Sequence, residues 1–370
     1  VYGGKTLKPL CEKIYLELDM PNENDTLGDK DRIINALKDK YENITMPYKI
    51  VKKLYPLCRE NNFKITVTIL KMQYDWVVTN VEGKDTSNCN YGIAVDLGST
   101  TITMQLINLN NKQVIAQEST FNKQVKYGED ILSRIFYTKQ YKNGLREIQK
   151  STIESFKELI NKLEIKSNIN IKNCSIMIVS GNTTMTHFLL GINPWTIFQS
   201  PFTPVFNDGG FIKGEDIDLP IDGYVYCFPS VANYFGGDLV SGLLYTEIYK
   251  KDELCVLIDI GTNGELVIGN KDFLIACAGA AGPALEGGIS KYGMRASDGA
   301  IDSIKIINNK ITYTTINNKK PRGICGSGIV DLIAQSFLNK WIDFSGTLIQ
   351  ENSNPIIKIN DEYAIEYATI

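Results

Sequence analysis

The chain has a single histidine, His187, in 370 residues. A metal cluster built on imidazoles is therefore excluded, and a conventional catalytic triad has almost nothing to stand on. His187 lies between Thr186 and Phe188, a setting that suits a packed structural residue. Close cysteine pairs are also absent. The eight cysteines, at positions 11, 58, 89, 174, 227, 255, 277 and 325, show no Cys-x-x-Cys and no zinc-like spacing. Most sit in apolar stretches such as Leu254-Cys255-Val256 and Ala276-Cys277-Ala278, as reduced core thiols do, which leads us to expect a cytoplasmic protein. Charge of one sign is not in excess. A net charge of −3 and a pI near 5.5 give no electrostatic reason to expect nucleic acid as a partner. No apolar run reaches the roughly 18 residues of a membrane helix, so no membrane span is expected.

What the chain does have is a repeated aspartate–glycine signature. The first copy is Val95-Asp96-Leu97-Gly98-Ser99-Thr100-Thr101-Ile102-Thr103, and the second is Ile258-Asp259-Ile260-Gly261-Thr262-Asn263-Gly264-Glu265-Leu266. Each reads as an apolar strand ending in Asp, a tight Gly/Ser/Thr turn, and a second strand of alternating apolar residues. Glycine lets a backbone approach a phosphate closely, successive N–H groups can cradle it, and hydroxyls can bond its oxygens. An Asp at the strand tip can hold Mg²⁺, usually through water, because the small hard ion keeps much of its hydration shell. Asp and Gly are common in any turn, so one copy would say little. Two matching copies imply duplicated halves that share one nucleotide.

The rest of the chain can be ordered around these copies. Residues 1–89 read as a small α+β linker or middle domain. A short amphipathic helix covers Asp31–Tyr41, a second starts at Pro47 and runs through Leu54 and Leu57, and strands follow at Phe63–Leu70 and Asp75–Val81. A polar run from Glu82 to Asn90 marks a boundary. Residues 90–205 hold the first hairpin, a third strand at Gln113–Gln117, two helices with a single buried face, and a strand at Ser175–Val179 that turns through Asn182 into another helix. Pro194–Pro220 reads as an irregular connection. Residues 206–370 repeat the order: a helix opening at Gly236-Gly237-Asp238, a strand at Cys255–Asp259, the second hairpin, further strands, and a helix after Gly323–Gly328. Strands then helices, twice over, give an α/β fold of two mixed sheets packed by helices.

This order resembles the ATPase fold shared by actin, the heat-shock chaperone ATPase domain and the sugar kinases. More narrowly, the chain resembles the reductive activators of corrinoid proteins. The resemblance covers residues 91 to about 345 and includes Phe121-Asn122-Lys123-Gln124, Tyr127-Gly128-Glu129-Asp130, Gly181-Asn182-Thr183-Thr184-Met185, Asp259 to Glu265, Ala280-Ala281-Gly282-Pro283, Gly293-Met294-Arg295-Ala296 and Gly323 to Gly328. It implies duplicated actin-like (ribonuclease H-like) ATPase halves behind the small α+β domain, the second half C-terminally incomplete. It also implies a function, in which ATP and Mg²⁺ help return cob(II)alamin, bound to a partner corrinoid protein, to the cob(I) state. In that family the electron comes from an N-terminal ferredoxin-like domain with a two-iron two-sulfur cluster. This sequence has no cluster-ligating cysteine run, so the cluster is expected only in a longer protein. No glycine-rich adenosine motif follows Gly346, and the chain reads as an internal fragment. The resemblance further implies a homodimer.

On this reading Gly98, Ser99, Thr100 and Thr101, with Gly261, Thr262, Asn263 and Gly264, contact phosphates. Asp96 and Asp259 hold the hydrated Mg²⁺, Asp238 orients the attacking water, and Asn182 is a second candidate for catalysis. Each has a plainer alternative. Asp96 and Asp259 could be turn caps, and Asp238 and Asn182 could be helix caps with no catalytic duty. Two rival functions follow from the same superfamily: a small-molecule kinase, or a non-catalytic, nucleotide-switched assembly module.

Overall fold

The computed structural model describes residues 9–128, 130–233, 235–261, 263–280, 292–308, 310–349, 356–358 and 364–366. The chain forms two compact units, Val1–Ser241 and Gly242–Ile370.

The first unit begins with a four-stranded sheet. Its strands are β1 (Cys11–Glu17), β2 (Ile44–Thr45), β3 (Lys64–Lys71) and β4 (Trp76–Gly83), in the order β1-β3-β4-β2. Helices α1 (Asp29–Leu37) and α2 (Tyr48–Glu60) cover it. The central strand β3 is buried from Ile65 to Leu70. Side chains alternate along it, so Ile65, Val67 and Ile69 pack with Ile33, Leu54 and Cys58, while Thr66, Thr68 and Leu70 face the other way. Trp76 and Tyr41 meet edge to face in this core, with centroids 4.9 Å apart. Strand β1 is not visible in the hydrophobic pattern because Glu12 and Lys13 interrupt it; pairing with the buried β3 decides its conformation.

A second sheet of six strands follows in the same unit. Its strands are β5 (Tyr91–Leu97), β6 (Thr101–Asn108), β7 (Gln113–Phe121), β8 (Ile176–Gly181), β9 (Phe211–Lys213) and β10 (Tyr224–Cys227), in the order β7-β6-β5-β8-β10-β9. Strands β5, β6 and β7 run antiparallel, whereas β5, β8 and β10 run parallel. Helices α3 (Ile131–Gln140), α4 (Gly144–Ser167), α5 (Thr183–Leu190) and α6 (Trp195–Phe198) lie between the strands in sequence, and α7 (Gly237–Thr246) follows β10. The buried stripe of α4, with Ile148, Phe156, Leu159 and Leu163, packs into one core with Val95, Leu97, Met104 and Val179. Trp195 sits at the rim of this core against Phe136, centroids 5.9 Å apart. The connection expected to be irregular contains β9, and β10 just beyond it extends the first half's sheet past residue 205. Four residues, Tyr-Val-Tyr-Cys, are too few for a sequence period to announce.

The two sheets of this unit meet through Cys11 and Leu70 on one side and Ile176 on the other. Asn90 fastens the seam, its Nδ2 donating to the Cys11 carbonyl at 3.3 Å and its Oδ1 accepting from Ser175 Oγ at 3.3 Å.

The second unit has a meander of β11 (Cys255–Ile260), β12 (Asn263–Gly269) and β13 (Leu274–Ala280). It also has a sheet of β14 (Ala300–Ile307), β15 (Lys310–Thr315) and β16 (Gly323–Ile324), with α8 (Gly326–Leu338) against it. Ile301, Ile304, Ile306, Ile329, Leu332 and Trp341 form their core. Two short strands, β17 (Ile356–Lys358) and β18 (Ala364–Glu366), pair with each other. Among the described residues no helix is long and apolar enough to cross a membrane.

The lone histidine is structural. Its ring is fully buried on α5, stacked on Phe206 with centroids 4.4 Å apart. Nε2 accepts the Val205 N–H at 3.2 Å, so the proton resides on Nδ1, which donates to the Thr183 carbonyl at 2.7 Å. His187 thereby pins the segment after α6 to the second sheet's core. Burial pulls the imidazole below its usual value, against a smaller opposing effect of the Thr183 carbonyl. A neutral group of this kind contributes stability above the unfolded-state value near about 6.5, and loses it as the pH falls below. Urea denaturation should therefore give a wild-type stability that declines between about pH 7 and 5.5, and a shallower decline in His187→Gln. That variant should also lose ~1–3 kcal/mol at neutral pH, because the Val205 N–H or Thr183 carbonyl is left with a poorer partner.

Candidate functional site

The first signature folds as expected. Strand β5 pairs with β6 from Tyr91↔Asn108 to Leu97↔Ile102, placing Asp96 opposite Thr103 at the hairpin's tip. Gly98 opens the turn. A Cβ at this position would stand 2.5 Å from the Thr101 carbonyl oxygen, so no larger residue fits without moving the loop. The turn is gripped from behind by Asn122, which is fully buried. Asn122 Nδ2 donates to the Gly98 carbonyl at 2.9 Å, and its backbone N–H donates to the Thr100 carbonyl at 2.8 Å. In a trans peptide the N–H points opposite to the C=O. Turning these carbonyls inward therefore aims the N–H groups of Ser99 and Thr101 away from Asn122, the arrangement an anion requires. Ser99 is buried, Thr100 is half-buried and Thr101 is exposed.

The parallel pairing of β5 with β8 brings two more expected residues to this tip. Asp96 lies beside Ser180, and Leu97 beside Gly181, so Asn182 follows directly at the end of β8. Gly236 packs its backbone on the Gly181–Thr183 turn so closely that a Cβ would collide with the Asn182 Cα. Ser180 Oγ lies 3.0 Å from the Gly237 carbonyl and 2.8 Å from Ser241 Oγ. These contacts set the first turn of α7, with Asp238, next to Asn182. Asp96, Asn182 and Asp238 are thus gathered at the C-terminal ends of β5 and β8, the usual location of sites in α/β sheets.

Asn182 does cap α5, its Oδ1 accepting the Met185 N–H at 3.0 Å. Its Nδ2 makes no hydrogen bond among the described residues, and the residue is half-buried. Asp238 is the second residue of α7, half-buried, and its Oδ1 accepts the Leu239 N–H at 2.9 Å. Asp96 is exposed at the strand tip.

The second signature is also a hairpin. Strand β11 pairs with β12 from Cys255↔Gly269 to Ile260↔Gly264, and Asp259 stands opposite Glu265. Asp259 and Gly261 are exposed and Gly264 is half-buried. Thr262 lies outside the described residues, as do the side chain of Asn263 and Ala281, Gly282 and Pro283 of the expected run Ala280-Ala281-Gly282-Pro283. Glu265 was not singled out in the sequence, yet the register sets two carboxylates directly across from each other. Like charges so placed repel, and a cation near them relieves the repulsion. Among the described residues no group of three or more His, Cys, Asp or Glu could hold a metal.

A buried polar chain behind the first hairpin was not legible as such. From Asn122, whose Oδ1 accepts the Gln124 N–H at 3.0 Å, it continues through Gln124 to Thr152 Oγ1 at 2.5 Å and to Arg134 Nη1 at 3.1 Å. Arg134 is fully buried, donates Nε to the Gly128 carbonyl at 2.9 Å, and touches Met185 Sδ at 3.7 Å. Burial pulls its guanidinium down to about 10. The chain therefore joins the Gly98 turn to the helix that Asn182 caps.

A strand–turn–strand with a tight glycine, repeated in a second unit, with an acidic helix start beside the first copy, defines an actin-like ATPase fold. Family models match along the chain: the RACo linker region at residues 4–88, the RACo middle region at 91–251, and the C-terminal domain of RACo, the ASKHA domain, at 253–369. The chain belongs to the RACo family. The corrinoid activation enzyme RamQ of Eubacterium limosum is 35% identical over 278 residues, which is 75% of this chain and 46% of RamQ. A Co(II) methylated amine-specific corrinoid protein reductase of Methanosarcina barkeri is 26% identical over 233 residues, 58% of this chain and 41% of that protein. The solved structure of a reductive activator for a corrinoid, iron–sulfur protein superposes with a TM-score of 0.75 at 34% identity, over 98% of this chain and 59% of its own. The chain thus spans about half the length of the curated relatives it matches.

Replacing Asn122 by Ala should release the Gly98 carbonyl and the Gln124 N–H, while the backbone bond to the Thr100 carbonyl stays. We expect ~1–3 kcal/mol of lost stability and faster amide exchange confined to residues 98–101 and Gln124, read by hydrogen-exchange mass spectrometry.

Proposed function

We propose that this chain is the ATP-driven part of a corrinoid activator, which uses ATP to help return a partner's cob(II)alamin to cob(I). The observation that carries the reading is the first hairpin's tip, where a glycine-restricted turn presents N–H groups next to Asp96, Asn182 and Asp238. Its support is the sequence likeness to proteins named for corrinoid activation and reduction, and the ASKHA description of the C-terminal domain.

In this mechanism Gly98, Ser99, Thr100 and Thr101 hold one part of the triphosphate through backbone N–H groups and hydroxyls. Gly261, Thr262, Asn263 and Gly264 do the same from the second hairpin. Asp96 and Asp259, with Glu265 across from it, would hold hydrated Mg²⁺, which supplies neutralising charge for the phosphates. Asp238 accepts a hydrogen bond from the attacking water and aligns it, and Asn182 Nδ2 donates to a phosphate oxygen or to that water. Such chemistry is mostly positioning and charge stabilisation.

The energetic purpose is to make a reluctant electron transfer feasible. For a one-electron couple, about 60 mV corresponds to about 1.4 kcal/mol of differential binding between oxidation states. Docking on the corrinoid protein supplies that differential, and hydrolysis makes the cycle directional, since a bound ligand by itself only shifts populations. The electron comes from a donor outside the described residues. A cytoplasmic site of action and a homodimeric state belong to the same proposal.

The test uses the protein under anaerobic conditions with a low-potential one-electron donor and a cob(II)-loaded corrinoid protein, following the visible spectrum with and without ATP. ATP-dependent cob(I) formation is expected, reduced about a hundredfold or more in Asp259→Ala. Asp238→Asn should lower the turnover of ATP by a similar factor while leaving nucleotide affinity within about threefold. Steady ATP hydrolysis with no cob(I) would overturn the proposal in favour of a kinase, which phosphorylated products would then reveal.

A further inference from the structure

The seam between the two sheets of the first unit encloses a cavity of about 120 Å³, remote in sequence from both hairpins. Strand register explains one wall. Thr68 of β3 pairs with Lys13 of β1 on one side and with Asn80 of β4 on the other, so the three side chains share a face, and all three line the cavity. Thr68 is 1% exposed, and its Oγ1 is buried with no hydrogen-bond partner. A threonine hydroxyl left in that state is disfavoured, and the cavity beside it is where its partner belongs.

The lining is rich in ammonium groups. Lys13, with a side chain only 2% exposed, pairs with Glu82 at 2.6 Å. Lys49 reaches both oxygens of Glu215 at 2.8 Å, and Lys213 lies 4.0 Å from the same carboxylate. Lys53 also lines the cavity and makes no ion pair among the described residues. Four lysines thus face two lining carboxylates, Glu215 and Asp222. The third contribution is the start of α2. Its N-cap is Pro47, no side chain caps it, and Lys49 and Lys53 stand one turn apart at this positive end.

A wall with four lysines against two carboxylates, an uncapped helix start and a buried hydroxyl together select an oxyanion. We propose that this seam binds a phosphate-class anion, either free or as the terminal group of a phosphorylated small molecule, and that the bound anion ties the first sheet to the second. Thr68 donates its hydroxyl proton, the first turn of α2 supplies backbone N–H groups, and Lys53 supplies the uncompensated charge. The cavity admits one phosphate group, so the body of an ester lies in the opening toward solvent. This site is separate from the nucleotide reading and stands or falls without it.

Isothermal titration of the intact protein at constant ionic strength tests it, with inorganic phosphate in one arm and glycerol 3-phosphate in the other. The protein is first saturated with a non-hydrolysable ATP analogue and Mg²⁺, so that the hairpins do not contribute. Wild type should bind one equivalent, with affinity reduced about tenfold in Lys53→Gln and in Thr68→Val. Tighter binding of the ester identifies a phosphorylated metabolite as the ligand, and equal binding identifies the free anion. Lys53 is exposed on its helix, so its replacement preserves the fold even where Thr68→Val does not. No heat of binding, or equal affinity in wild type and Lys53→Gln, would overturn the proposal. A Thr68→Val protein that is more stable than wild type yet binds phosphate undiminished would show that water alone fills the cavity, and would overturn it as well.

Discussion

The parallel pairing of β5 with β8 is the constraint on which the candidate site depends. Its register puts Asp96 beside Ser180 and Leu97 beside Gly181. A slip of one residue would turn every side chain of β5 to the opposite face and bury Asp96 in the core that Val95 and Leu97 now fill. The hydrophobic content of that core therefore does more than stabilise the sheet. It fixes which atoms of a flexible glycine turn arrive at the strand ends, and beside which helix start. The close approach of Gly236 to the Gly181–Thr183 turn adds the last coordinate, because two backbones at that distance leave α7 no freedom in where it begins.

Behind the turn, the polar chain from Asn122 to Arg134 plays the part that apolar packing plays elsewhere. Backbone carbonyls cannot be left bare in a protein interior, and a buried guanidinium is costly unless its protons are used. Asn122 meets the first need at the Gly98 and Thr100 carbonyls, and Arg134 meets the second only in part, using Nε and Nη1 while Nη2 has no partner. Rigidity of this kind is what an anion site asks for, since the binding groups need not be reordered when the ligand arrives.

How much of this the sequence disclosed depends on the kind of signal each element carries. The hairpins were legible because Asp, Gly and alternating apolar residues occupy fixed offsets, and both fold as read. The helix α4 was legible from the spacing of Ile148, Phe156 and Leu163. Strands β1 and β10 were hidden, the one by charged residues whose partners lie far along the chain and the other by its brevity. Asn122, Gln124 and Arg134 stood in a run that looks like surface, since a buried polar residue announces itself only through its partners. Glu265 escaped notice for a related reason: its position across from Asp259 is a property of register, which composition does not carry. The likeness to corrinoid activators named the Phe121–Gln124 run without saying why it matters, and the hydrogen bonds to Gly98 and Thr100 supply the reason.

The three tryptophans have a consequence of a different sort. Trp76 sits in the core of the first sheet, Trp195 at the rim of the second, and Trp341 in the core under α8. Each of the three packed regions thus owns one intrinsic fluorophore. Removing two at a time yields proteins in which emission reports on a single region, so the order in which the regions melt, and whether nucleotide or anion tightens one and not another, can be followed optically without any attached dye.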